Sequence, residues 1–166
     1  TASGKLDATA ATNIDLAGTV STQSLNLEAT AGDVTQSAGT LTVSAGPTDL
    51  KAGDDITLDK ANDFVGDVNI SSAEAVTLND INSLTLGTVS ISDKLDATAA
   101  TDLILNGTVS VDELALTATA GKIDQTAGTL SVTTGPANLY AGTTITLNQA
   151  NDFNGTVNVL GGTDVT

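Results

Sequence analysis

The sequence predicts an all-β fold, a parallel β-helix (solenoid) of about four coils of roughly 20–27 residues within each 89-residue unit. Three observations predict it. First, the eight residues KLDATAAT, Lys5 to Thr12, return unchanged from Lys94 to Thr101. The offset, 94 − 5 = 89, then holds to the end without a gap, and 43 of positions 1–77 match their partners in 90–166. Second, a shorter, degenerate period runs inside the unit. Third, the interior has to be built from small aliphatic side chains. Trp, Met and Cys are absent, and the aromatics are two Phe and one Tyr. A core without large side chains suits a narrow bore of regular cross-section. Self-similarity at a fixed period is the mark of repeat architectures.

Taken in order, the short period appears in the tripeptides Ile14-Asp15-Leu16, Val34-Thr35-Gln36, Ile56-Thr57-Leu58 and Val76-Thr77-Leu78. Each follows a small polar segment that reads as a turn. The second copy resumes at Leu103, Ile123, Ile145 and Val165. The steps are therefore 34 − 14 = 20, 56 − 34 = 22, 76 − 56 = 20 and 103 − 76 = 27. Between them lie further alternating runs, among them Ser24-Leu25-Asn26-Leu27, Leu41-Thr42-Val43, Val68-Asn69-Ile70 and Leu84-Thr85-Leu86. Alternation with period two gives a strand with one apolar face. No stripe has helical spacing, and β-branched residues and turn formers interrupt every segment. The units are therefore residues 1–89 and an incomplete second copy, 90–166, in one continuous solenoid. At about 4.8 Å per coil, a four-coil unit rises about 19 Å.

Comparison of the two copies separates inside from outside. Ile14 becomes Leu103, Val34 becomes Ile123 and Ile70 becomes Val159, while Lys51 becomes Tyr140 and Asp54-Asp55 becomes Thr143-Thr144. Volume-conserving exchange is what a packed position tolerates. The expected inward file is Ile14, Val34, Ile56, Val76, Leu103, Ile123, Ile145 and Val165, with Phe64 and Phe153 filling a wider part of the bore or capping a corner. Gln36 and Gln125 fall in a file otherwise made of leucine. They form either a buried polar ladder or ligand contact, or a local bulge that turns Gln to solvent or pairs it with backbone; the second reading is preferred. The longest step, through Asn79-Asp80-Ile81 and Asp93, is the expected place for a protruding loop.

Charge and composition restrict function. Twenty acids face five lysines, with no Arg or His, for a net charge of −15. This excludes a basic nucleic-acid interface and basic docking to anionic membrane, and no stretch is long and apolar enough for a membrane helix. Without His, Cys or Arg, no Ser/His/Asp or Cys/His nucleophile system can be assembled. A glycosidase carboxylate pair at Asp54-Asp55 is not kept in the second copy, so no enzyme and no catalytic residues are expected. The residues before each tripeptide (Asn13, Asp33, Asp55, Ala75, then Asp102, Lys122, Thr144, Asp164) form an acidic file in the first unit that suits Ca²⁺, broken in the second by Lys122 and Thr144. Solvated turn acids that limit aggregation are the preferred reading, so no metal or cofactor site is assigned. The middle residues, Asp15, Thr35, Thr57, Thr77, Ile104, Asp124, Thr146 and Thr166, make too interrupted a file for an ice-binding face and read as a cross-coil Thr ladder.

The stretches DITL, ANDF, QTAGTL (125–130) and LTLGTVS (84–90) resemble the repeats of filamentous-haemagglutinin-type bacterial exoproteins. The resemblance covers essentially the whole chain and implies a right-handed shaft on the cell surface or secreted, used in adhesion, biofilm or contact between cells. It carries over no binding residue. Two functions are weighed: a structural fibre or adhesin shaft, and a glycan- or partner-binding module on one face. Sameness along the length favours the shaft. Both ends fall inside the repeat pattern without caps, so the expected partners are flanking repeats of the same chain or identical subunits stacked end to end.

Overall fold

The computed structural model describes residues 4–166. These form 22 strands and no helix, and every strand pairing is parallel. The chain winds into a β-solenoid of about 8 turns, with a 12-stranded sheet on one side and a 10-stranded sheet on the other. Alternation drives the winding. In Ser24–Ala29, Leu25, Leu27 and Ala29 point inward and are fully buried, while Ser24, Asn26 and Glu28 point out. Strands buried on one face by stacked aliphatics are joined through short polar corners, and the ladder bonds run from coil to coil.

The interior is a column of Leu, Val, Ile and Ala, as the composition requires. Phe64, 1% exposed and in register with Val43, supplies the bulk at one corner. Its counterpart Phe153 is half-buried against Val132. The corners admit only small groups. Gly39 and Gly128 take φ of +78° and +71°, and a Cβ there would drive into the backbone of Gly18 and Gly107 on the preceding coil. Their conformation is the left-handed one that glycine adopts without steric cost.

The winding differs from the expected one at the unit boundary. Paired residues one coil apart differ in number by 86 − 68 = 18 (Val68 to Leu86) at the least and 48 − 25 = 23 (Leu25 to Thr48) at the most, so no coil spans the expected long step. Ile14, Val34, Ile56 and Val76 do stack in register, but Val76 is followed by Leu95 and not by Leu103. Leu103 stacks on Leu84 in the opposite sheet and leads to Ile123, Ile145 and Val165. The single inward file is therefore two files on opposite sides. The long step is one and a half turns, Val76 to Leu95 and then across the bore.

The first unit crosses the bore nine times. Lys5–Ala10, Ser24–Ala29, Thr48–Ala52, Val68–Ser72 and Leu84–Ser90 lie in one sheet; 14–22, 34–43, 56–64 and 76–80 lie in the other. The tenth crossing, Lys94–Ala99, is KLDATA again, now in the sheet opposite to Lys5–Ala10. A unit is thus four and a half coils, with a rise of about 22 Å at about 4.8 Å per coil. Either face accepts either strand because both show the same alternation: Leu95, Ala97 and Ala99 sit on Val76, Leu78 and Asp80.

No loop protrudes where one was expected. Asn79 donates to Lys60 O at 2.9 Å, and Asp80 is 1% exposed at the end of Val76–Asp80. Asp80 Oδ2 accepts the Phe64 N–H at 2.8 Å and Oδ1 the Asn82 N–H at 2.6 Å. The carboxylate holds the corner where the two files trade sides.

Candidate functional site

A polar constellation inside the bore is built on Gln36. The preferred expectation, a local bulge that turns Gln to solvent or pairs it with backbone, holds in part. The register shifts beside Gln36, and Gln36 and Gln125 donate long bonds to Gly39 O and Gly128 O at 3.4 Å. Neither side chain turns to solvent: Gln36 is 3% exposed and Gln125 2%. Gln36 faces Asn62 in a mutual amide pair, Nε2 to Oδ1 at 2.8 Å and Nδ2 to Oε1 at 2.9 Å. Asn62, fully buried, also accepts the Leu41 N–H at 3.0 Å and donates to Leu58 O at 3.0 Å. The second copy repeats this with Gln125 and Asn151, both amide contacts at 2.8 Å, and with Leu130 N–H and Leu147 O as the backbone partners. A buried amide is tolerated only when its donors and acceptors are met, and here one side chain meets another from the next coil. The sequence signal was a Gln and an Asn kept at one spacing in both copies, 62 − 36 = 26 and 151 − 125 = 26.

The acidic file before the tripeptides is also structural. Asn13 Oδ1 accepts the Asp33 N–H at 3.1 Å, Asp33 Oδ1 the Asp55 N–H at 3.1 Å, and Asp55 Oδ1 the Ala75 N–H at 3.0 Å. Asp102 repeats the contact with the Lys122 N–H at 3.0 Å. Each side chain takes a main-chain N–H of the next coil at a corner where the ladder bends, so these are not merely solvated acids. Glycine makes room for it: a Cβ on Gly32 or Gly121 would collide with the carbonyl or carboxylate oxygen of Asn13 or Asp102. The exposed Asp54 and Asp55 have no carboxylate counterpart in the second copy, where Thr143 and Thr144 stand.

The outer faces carry polar ladders. Asp7, Asn26, Asp49 and Asn69 stack in register, with Asn26 donating to Asp7 at 2.8 Å and Asn69 to Asp49 at 3.0 Å. The Asn26 hydrogen bond, with Lys5 second, holds the Asp7 carboxyl below its ordinary range. The expected Thr ladder exists only over Asp15, Thr35, Thr57 and Thr77, where the exchange of sides puts Asp96 next. Thr146 belongs to the other face, after Thr85, Ile104 and Asp124.

All five lysines are in ion pairs: Lys5–Asp7, Lys51–Glu28, Lys60–Asp59, Lys94–Asp96 and Lys122–Asp124. The Asp124 contact raises the Lys122 ammonium above its ordinary value. Exposed pairs of this kind add little stability. The other acids among the described residues have no lysine partner. Asp80 is distinct among them: burial, and then nearby Asp63, raise its carboxyl against the lowering effect of its two backbone donors.

The family described as repeats of unknown function (DUF5649) matches residues 1–71, 73–112 and 98–160. The chain belongs to the DUF5649 repeats. No curated protein and no solved structure matches it. The second matched segment runs through the exchange of sides, so this DUF5649 chain carries the family pattern in both phases of the winding.

Proposed function

We propose that this DUF5649 chain is a length of rigid shaft, part of a fibre or adhesin stalk on a bacterial surface or in its secreted material. The observation that carries the reading is continuity. Both sheets pass through the unit boundary without a break, and the buried column runs from Leu16 to Ile145. A solenoid of repeats in contact only with their neighbours extends by adding units, and the shaft's partners are flanking repeats of the same chain or identical subunits end to end. The placement outside the cell rests on the resemblance to filamentous-haemagglutinin-type exoproteins. An acidic surface keeps such shafts apart, and lateral bundling then requires cations or salt to screen the charge.

Electron microscopy of the native protein tests this. The expected result is slender filaments with an axial repeat of about 22 Å or twice that, in place of the roughly 19 Å that four whole coils would give. Compact particles without an elongated region would overturn it.

A further inference from the structure

We infer that the edge formed by Val157–Val159 and Asp164–Val165 takes the edge formed by Lys5–Ala10 and Ile14–Ala17 of a second copy of this chain, head to tail and in one fixed register. The seam rests on the shaft reading and names the partner within it. The same residues occur in covered and uncovered settings. Val68, Ile70 and Val76 are at most 1% exposed under the strands that follow them, whereas their counterparts Val157, Val159 and Val165 are 43%, 45% and 50% exposed. At the other end, Leu6 and Ala8 of KLDATA are half-buried, while Leu95 and Ala97 of the identical Lys94–Ala99 are fully buried between two strands. Each edge therefore lacks the neighbour that its own duplicate has, and each offers the unpaired backbone of a parallel strand to another chain.

The winding sets which strand meets which. The next strand after Asp164–Val165 falls on Val157–Val159, so Lys5–Ala10 of the incoming copy lies there and Ile14–Ala17 then lies on Asp164–Val165. Both apolar columns continue across the seam. Leu95, Leu114, Ala137 and Val157 run into Leu6, and Leu103, Ile123, Ile145 and Val165 run into Ile14. On the outer face Asp7 lands on Asn158, whose amide donates to Asn138 at 2.8 Å and has a second N–H to give. The corner acids agree. Asn13, Asp33, Asp55 and Asp102 each accept an N–H of the following coil where one tripeptide strand lies on another. Where the KLDATA strand follows, after Val76, the residue at this place is Ala75. Its counterpart at the open edge is an exposed acid, Asp164, at the level where the Asn13 N–H of a second copy arrives.

Disulfide trapping tests the seam, because the chain has no cysteine of its own. Paired strands lie about 4.8 Å apart, within the Cα separation of about 4.4–6.8 Å that a disulfide spans. Oxidation of Asp7→Cys/Asn158→Cys is therefore expected to give a ladder of dimers, trimers and longer species on a non-reducing gel. The two positions stand at opposite ends of about 8 turns, so no bond closes within one molecule. Asp7→Cys and Asn158→Cys mixed as separate proteins should stop at the heterodimer. Homodimers of either alone at the same yield would mean random or head-to-head contact and overturn the inference. Asp7→Cys/Asn138→Cys, with the second cysteine one coil inside, should give no ladder, and an equal ladder from it would overturn the register. Thr9→Cys/Leu160→Cys, two residues along the same strands, repeats the measurement if the first variant does not fold. Filaments in microscopy without any ladder would overturn the seam, further repeats of one chain then covering both edges, and leave the shaft reading standing. A ladder from material that shows only compact, closed particles would keep the seam and remove the shaft.

Discussion

Replacing Asn62 by leucine removes the buried clamp at its centre. Leucine keeps the branching and the number of side-chain heavy atoms, so the main effect is the loss of hydrogen bonds, to which its greater bulk adds. Four contacts disappear: two with the Gln36 amide, one with the Leu41 N–H and one with Leu58 O. Gln36 keeps only a long contact to Gly39 O, at 3.4 Å. A buried polar group left without its partner costs about 1–3 kcal/mol, and the Gln36 amide and Leu41 N–H are both stranded, so the expected loss is about 3–5 kcal/mol. Gln36→Leu is expected to cost less, about 1–2 kcal/mol, because each Asn62 atom retains a backbone partner. Urea unfolding of the 166-residue chain, with amide exchange at Leu41 as the local readout, measures both. The double variant should cost less than the sum of the two, since the pair is then removed together. An Asn62→Leu penalty equal to or below that of Gln36→Leu would refute this account of the clamp.

Three further outcomes are expected. Gly39→Ala should destabilise by at least about 2 kcal/mol, from the left-handed backbone and the collision with Gly18, measured as a shift in the urea midpoint. Thr48→Val should stabilise by about 1 kcal/mol in the same assay: Thr48 Oγ1 is buried without a partner among the described residues, and Ala137 fills the same place in the second copy. Asp80 makes the pH prediction. Its folded carboxyl titrates above the ordinary 3.8, so the folded state binds the proton more tightly than the unfolded one. Its contribution to stability therefore grows as pH falls toward 3.8 and shrinks as pH rises through the raised value. Asp80→Asn, which cannot accept from both Phe64 and Asn82, should be less stable throughout, and the gap between wild type and variant should widen in acid. A gap that narrows from about pH 7 to about pH 4 in thermal melts would contradict the sign.

The winding was legible in the sequence, and its phase was not. Alternation in segments such as Ser24–Ala29 specifies a strand with one buried side wherever it falls. The same alternation says nothing about which sheet a strand enters, so Val76 could be followed by Leu103 or by Leu95 with equal apolar fit. The usable signal was arithmetic: an offset of 94 − 5 = 89 is not a whole number of coils when each advances by close to 20. At the clamp, Gln36 stood out as a polar residue in an apolar file, but its partner lies in the next coil, among the equally polar Asn62 and Asp63, and only the fold shows which of the two turns inward. The acids before the tripeptides were legible as a file, yet their role depends on corner geometry that places an oxygen against an N–H of the next coil.

The exchange of sides also bears on the outline of the stack. The coil from Leu25 to Thr48 contains Gly46-Pro47 and advances the numbering by 48 − 25 = 23, against 25 − 6 = 19 for the coil before it. In the second copy the corresponding long coil, Leu114 to Ala137, lies in the opposite sheet. The ladder holds the rise of every coil at about 4.8 Å, so the extra residues widen the coil and do not lengthen the stack. They lie in the corner 44–47, between Leu41–Val43 and Thr48–Ala52, where the coil before has Gln23 alone. The corner 133–136 repeats the widening in the second copy. Because the strands have exchanged sheets by then, the two broad corners fall on opposite edges and neither edge carries both.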